Sequence, residues 1–180
     1  MPITANHIRT TLAAYLDQHP EDKRELDVVR GLLDDGDDLT HRATLPVHAT
    51  AGAILVDAAH RVLHIHHLAT GKWLLPGGHL EPADNTLLQA AGRELAEETG
   101  IPPHLVTPRS EAPLHIDIHP IDANPAKNEP AHQHFDFRFL FRTTADVGHL
   151  QTEEVSAADW RDISEISDPR LRERVANALR

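Results

Sequence analysis

The sequence predicts a mixed α/β domain built on one sheet, residues 44–180, preceded by a helical extension over residues 1–43. Three observations lead there. Apolar residues near the N-terminus recur at helical spacing. From Val47 onward, apolar and polar residues alternate in runs of strand length. One longer helical pattern, 86–99, lies between those runs. A chain of 180 residues with 40% hydrophobic content suits one domain of ordinary size with its own core.

In the extension, Ile8, Leu12, Tyr15 and Leu16 keep a helical spacing that His19 and Pro20 end. Leu26, Val29 and Leu33 follow as a second short helix, closed by the turn Gly36 to Asp38. The expected arrangement is a helical hairpin packed on the main domain, with a dimerisation arm, and hence a homodimer, as the alternative. ATAGAILVD and RVLHIHH read as strands joined by a turn around Asp57 to His60. The segment from Pro76 to Asp84 is loop-like, with Gly77, Gly78 and Pro82. Residues 86–99 form a helix that Gly100 stops. Two alternating strands, 114–119 and 134–141, flank a Pro/Asn-rich loop. EVSAADWRDI adds a loop and short strand, and a last helix begins with Ser167 as its expected N-cap.

The helix over 86–99 carries RELAEETG, with Glu94, Glu97 and Glu98 three and four residues apart. Such spacing sets like charges on one face, where each pair is destabilising by a few tenths of a kcal/mol. At roughly 100° per residue the three acids border the apolar stripe of Leu88, Ala91 and Leu95. Side chains there lie at the rim of a cleft, and Arg93, four residues before Glu97, can orient it. Clustered carboxylate oxygens suit hard cations such as Mg²⁺ or Mn²⁺; an ordinary solvated acidic face is the competing reading of the helix alone.

PGGHLEPAD followed, after eight residues, by RELAEETGI resembles the signature of the Nudix hydrolases, G-x5-E-x7-R-E-U-x-E-E-x-G-U, with U a bulky aliphatic residue. The second half matches at Arg93, Glu94, Leu95, Glu97, Glu98, Gly100 and Ile101. The first half departs by one inserted residue, with Asp84 in place of the first Glu and Glu81 as a weaker substitute. The resemblance implies an α/β/α sandwich with a mixed sheet. It also implies metal-dependent hydrolysis of a pyrophosphate bond in a nucleoside diphosphate-linked or nucleoside triphosphate substrate. Carried over by position, Glu94, Glu97 and Glu98 are metal ligands, joined by the backbone of Gly78, and Arg93 orients them. Glu97 and Glu154 are the candidate general bases, Glu98 and Arg93 the other catalytic residues; Glu153 shares the loop of Glu154. The alternative is a catalytically silent Nudix-fold module that binds a nucleotide. An isomerase on the same fold would want a cysteine, and the chain has none.

The two alternating strands carry most of the remaining candidates. His115, Asp117 and His119 share one strand face; His132, His134, Asp136 and Arg138 share the other strand's polar face, opposite Phe135, Phe137, Phe139 and Phe141. Paired, the two would form a patch of imidazoles, carboxylates and one guanidinium. Three readings stay open: a solvated face, a substrate-binding wall that includes His79, or an additional metal site. His64 and His66 read as a plain polar face. Trp73 is expected to pack on the glutamate helix or its loop, and Trp160 to anchor the last strand. Gly92 is expected to admit a close strand, and the loop bearing Lys127 to act as a lid.

Charge and composition narrow the partners to a small-molecule nucleotide. The formal charge of −11 disfavours a DNA or RNA polymer, whose binding rests on Lys and Arg. No apolar run is long enough for a membrane span, and the first residues lack a secretory pattern. Together with the absence of cysteine these features suggest a cytoplasmic setting.

Overall fold

The computed structural model describes residues 1–68, 70–125, 129–150 and 155–180. Helices α1 (Ala5–Gln18) and α2 (Lys23–Asp34) precede strand β1 (Val47–Val56). There follow β2 (Val62–His67), β3 (Lys72–Leu74), β4 (Gly77–His79), helix α3 (Leu87–Thr99), β5 (Val106–Pro108), β6 (His115–Ile121), β7 (His132–Thr143), β8 (Val155–Arg161) and helix α4 (Pro169–Ala178). One mixed sheet runs β3-β2-β1-β7-β5, with β4 paired to β1, β6 to β7 and β8 to β2. β1 and β7 are parallel through their whole length, from Val47 opposite Gln133 to Val56 opposite Arg142.

The alternation of β1 and β7 sorts the two faces. Ala49, Ala51, Ala53 and Leu55 join Phe135, Phe137, Phe139 and Phe141 on one side, under α1, α2 and α3. Burying aromatic and aliphatic side chains this fully contributes about 1.5–3 kcal/mol each. On the other side Ile54, Val56, Val62 and Leu140 meet Leu171 and Val175 of α4. Helices therefore lie on both faces, as an α/β/α sandwich requires. The N-terminal hairpin shares the main core: Ile8, Leu12, Tyr15, Leu26, Val29 and Leu33 are buried with the sheet's phenylalanines.

Local signals account for the helix ends. Thr4 and Thr86 cap α1 and α3, each accepting from the amide three residues on. Gly100 closes α3 with φ of 67°, a left-handed conformation that favours glycine. The cap of α4 is Asp168, not Ser167: its side chain accepts from the Leu171 amide at 2.8 Å. Pro169 suits the first helical position, which moves the cap to the residue just before it. Within the expected loop 76–84, Gly77–His79 form a short strand against β1. The loop between β6 and β7 is also shorter than expected, since both strands run on to Ile121 and back from His132.

Candidate active site

β4 and α3 together build the acidic site. The pairing of β4 with β1 sets Gly78 opposite Ala51 and His79 opposite Thr50. A Cβ on Gly77 would lie 2.8 Å from Gly52 Cα and 3.0 Å from the Ala51 carbonyl oxygen. A Cβ on Gly78 would lie 2.6 Å from the Glu94 carboxylate. The two glycines thus let the turn lie against a strand backbone on one side and a carboxylate on the other. The Gly77 amide donates to Glu98 Oε2 at 2.9 Å, and Glu98 is only 3% exposed.

Arg93 knits the acids together. Its guanidinium donates to Asp84 Oδ1 (3.1 Å) and Oδ2 (3.0 Å), to Glu94 Oε1 (2.9 Å), to Glu97 Oε2 (2.9 Å) and to the His79 carbonyl (2.8 Å). Burial disfavours the charged guanidinium, but Asp84 and Glu94 outweigh it and hold its pKa above the ordinary value. Asp84 is buried and also accepts from the Glu81 amide at 2.8 Å. The inserted residue is absorbed beside it, where Asn85 is exposed and turned to Gln89. The Asp84 carbonyl accepts from Ile3, so the N-terminal segment braces this loop. Around Arg93 stand the carboxylates of Asp84, Glu94 and Glu97, with Glu98 one helical step away. That surplus of negative charge favours a divalent cation.

The polar strand faces combine as the sequence suggests. β6 and β7 are antiparallel, with His115 opposite Arg138, Asp117 opposite Asp136 and His119 opposite His134. Asp117 accepts from Arg138 Nε at 2.9 Å and lies 2.7 Å from His119 Nδ1. Asp136 meets Arg138 at 2.8 Å and accepts from Thr50 at 3.1 Å. Burial works against the Asp117 charge, yet His119 and Arg138 prevail and its pKa is lowered; the same contact raises that of His119.

His134 and His79 come together at one end of this face, their rings 5.2 Å apart, with His132 5.2 Å from His134. His115 does not join them: its Nδ1 lies 2.7 Å from Arg174, in a network with Tyr15 and Asp22 under α4. One member of the face was not foreseen. His48 of β1 stands opposite His134 and is completely buried, 5.1 Å from the His79 ring. The alternation of His48, Thr50 and Gly52 along β1 hints at this face. Its neighbours come from a parallel partner some 85 residues later, which local pattern does not reveal.

Other expectations fare unevenly. His64 is buried, with Nδ1 3.2 Å from the Val62 carbonyl, rather than part of an open polar face. Trp73 pairs with His66 across β3 and β2, and the Arg161 guanidinium stacks 3.8 Å over its ring. A Cβ on Gly92 would meet the Phe141 ring at an ordinary 3.9 Å, so no close approach demands glycine there. Glu153, Glu154 and Lys127 lie outside the described residues.

The sequence matches the NUDIX domain model over residues 46–180. The chain belongs to the Nudix family. Among relatives of this Nudix protein, a Lactococcus lactis protein named "Probable DHNTP pyrophosphohydrolase" is 31% identical over 56% of this chain and 57% of its own. The Escherichia coli K12 "Phosphatase NudJ" is 47% identical over 33% of this chain and 40% of its own. The matches thus span about half the length of these relatives or less. Among solved structures, a MutT protein from Methanosarcina mazei aligns with a TM-score of 0.58 at 21% identity, over 75% of this Nudix chain and 96% of its own. The Nudix domain of Shewanella oneidensis NrtR, complexed with ADP ribose, aligns with a TM-score of 0.52 at 20% identity, over 83% and 97%. These likenesses show the fold. Among the described residues, no helix is long and apolar enough to cross a membrane.

Proposed function

We propose that this Nudix protein hydrolyses a phosphoanhydride bond in a nucleoside diphosphate-linked or nucleoside triphosphate substrate, with Mg²⁺ or Mn²⁺ at the α3 glutamates. One observation carries the reading. Glu94 and Glu98 flank Gly77 and Gly78 of β4, one against the space a Gly78 Cβ would fill, the other on the Gly77 amide. The donor set is all oxygen and carries surplus negative charge, which fits a hard divalent cation and not a soft one. Glu94, Glu98 and Glu97 would hold the ion, with the Gly78 backbone beside them. Bound there, it would neutralise the charge of the pyrophosphate oxygens and make water a better nucleophile.

The chain's own groups do the positioning. Arg93 fixes Glu94 and Glu97 while tied to buried Asp84, so the carboxylates need little rearrangement on binding. Glu97 is the most exposed of the three and is one candidate to take a proton from the attacking water; Glu154 is the other. The polar face of β6 and β7, with Arg138 and His119, supports a role in holding the phosphates or the leaving moiety. Dihydroneopterin triphosphate and ADP ribose, which the names of similar proteins mention, are compounds to try first. A cytoplasmic setting belongs to the same proposal.

The test is a hydrolysis panel spanning dihydroneopterin triphosphate, sugar nucleotides, ADP ribose, dinucleoside polyphosphates and noncanonical triphosphates, with Mg²⁺, with Mn²⁺ and with a chelator. Turnover of at least one class that the chelator abolishes is the expected result. Tight binding without turnover under either metal would replace the hydrolase with a nucleotide-binding module.

A further inference from the structure

The histidine cluster on the far side of β4 from the glutamates has a chemistry of its own. His48, His79 and His134 each offer a ring nitrogen, and these atoms lie within 4.8 Å of one another. The Nε2 atoms of all three are buried and have no hydrogen-bond partner among the described residues. Leaving a buried polar nitrogen unsatisfied is costly, so three together ask for a ligand.

The tautomers say which kind of ligand. His48 Nδ1 lies 3.1 Å from the Thr44 carbonyl oxygen. A carbonyl only accepts, so Nδ1 carries the proton and Nε2 presents a lone pair. His132, stacked on His48 at 4.9 Å, repeats the device through Pro130, 2.8 Å from its Nδ1. A nitrogen with a lone pair cannot donate to a phosphate oxygen, but it can bind a cation. A carbonyl accepting from the far ring nitrogen is also how metal-binding histidines are oriented. The neighbouring group of Asp117, His119 and Asp136 differs, because Arg138 and His119 already neutralise its carboxylates.

We propose that His48, His79 and His134 form a second metal site, distinct from the glutamate helix, that takes a borderline divalent ion such as Zn²⁺ through three imidazole nitrogens. Three imidazole nitrogens match the donor set of Zn²⁺, with bonds of about 2.0–2.1 Å. They do not match Mg²⁺, which asks for oxygen. The ion would draw the rings inward from their present spacing by side-chain rotation. β4 links the two sites, since His79 turns its ring to the imidazoles while its carbonyl accepts from Arg93.

Co²⁺ distinguishes the sites, because tetrahedral nitrogen coordination absorbs visible light intensely and octahedral oxygen coordination only weakly. Titrating the full chain with Co²⁺ should develop the intense spectrum at one equivalent, and Zn²⁺ should erase it. His134→Gln and His79→Gln should weaken this binding 10–100-fold or more. Glu98→Gln, and His104→Gln at an exposed surface histidine, should leave it unchanged. A wild-type protein that gives no such spectrum overturns the site, whether or not the variants fold. So does a spectrum that survives in folded His134→Gln, or one that Glu98→Gln removes. Hydrolysis at the glutamate helix does not depend on the outcome.

Discussion

Arg93 grips Asp84 through two hydrogen bonds, Nε to Oδ1 at 3.1 Å and Nη2 to Oδ2 at 3.0 Å, at a carboxylate that is almost wholly buried. The shorter side chain and the inserted residue still bring an acid to the arginine that orients the glutamates. Asp84→Asn keeps the shape but removes the charge, leaving the guanidinium to Glu94 and Glu97. Stability should fall by about 1–3 kcal/mol, as for a weakened buried hydrogen bond to a charged group. Hydrolysis should fall 10–100-fold, as for an outer-shell partner of a metal site. Melting curves and steady-state kinetics read the two effects.

The two adjacent glycines should respond differently to the same methyl group. At Gly77 the new Cβ meets backbone atoms of Gly52 and Ala51, which cannot move aside without disturbing β1. Gly77→Ala should therefore destabilise the fold by about 1–3 kcal/mol, as overpacking does. At Gly78 the obstacle is the end of the Glu94 side chain, which can shift by loosening its bond to Arg93. Gly78→Ala should lower the melting temperature less than Gly77→Ala and raise the Mg²⁺ concentration needed for half-maximal hydrolysis.

Gly92 lies in the middle of α3, where a Cβ would meet only the Phe141 ring at ordinary contact distance. Gly92→Ala should stabilise the protein by about 0.5–1 kcal/mol through helix propensity and reduced freedom of the unfolded chain. Thermal or urea unfolding measures it; a destabilised variant would mean that α3 and β7 cannot accept the extra methyl group.

The N-terminal hairpin should show a pH signature. Asp22 is buried and accepts from the Tyr15 hydroxyl and from Arg174. Burial raises its pKa, but these bonds outweigh burial and hold it below the usual 3.8. A carboxyl lowered by folding contributes stability above its unfolded pKa and loses it as pH falls through the folded one. Asp22→Asn should thus be less stable than wild type by a constant margin between pH 7 and about pH 5. That margin should narrow below about pH 4. Urea unfolding at several pH values gives the comparison; a margin that does not change with pH would remove the ionised pair from the account.

The site divides into parts the sequence displays and parts it hides. Glu94, Glu97 and Glu98 are legible because a helix repeats every three to four residues, so neighbours in sequence are neighbours in space. The polar and apolar faces of β6 and β7 are legible for the same local reason. His48 is not, because its partners depend on parallel pairing of distant strands, which leaves no nearby turn to read. The separation of His115 from His134 is hidden too. Both look alike along their strands, and only the contact with α4 sends His115 to Arg174. The Asp168 cap could have been read directly from the proline after it.

Glu98→Gln tests the central claim most directly. The amide keeps the size of the side chain and an oxygen for the Gly77 amide, while removing the charge that would hold the ion. With melting temperature and circular dichroism confirming the fold, Mg²⁺-dependent hydrolysis of the best panel substrate should drop at least 100-fold. Hydrolysis that continues at the wild-type rate in folded Glu98→Gln would contradict a metal site on this helix.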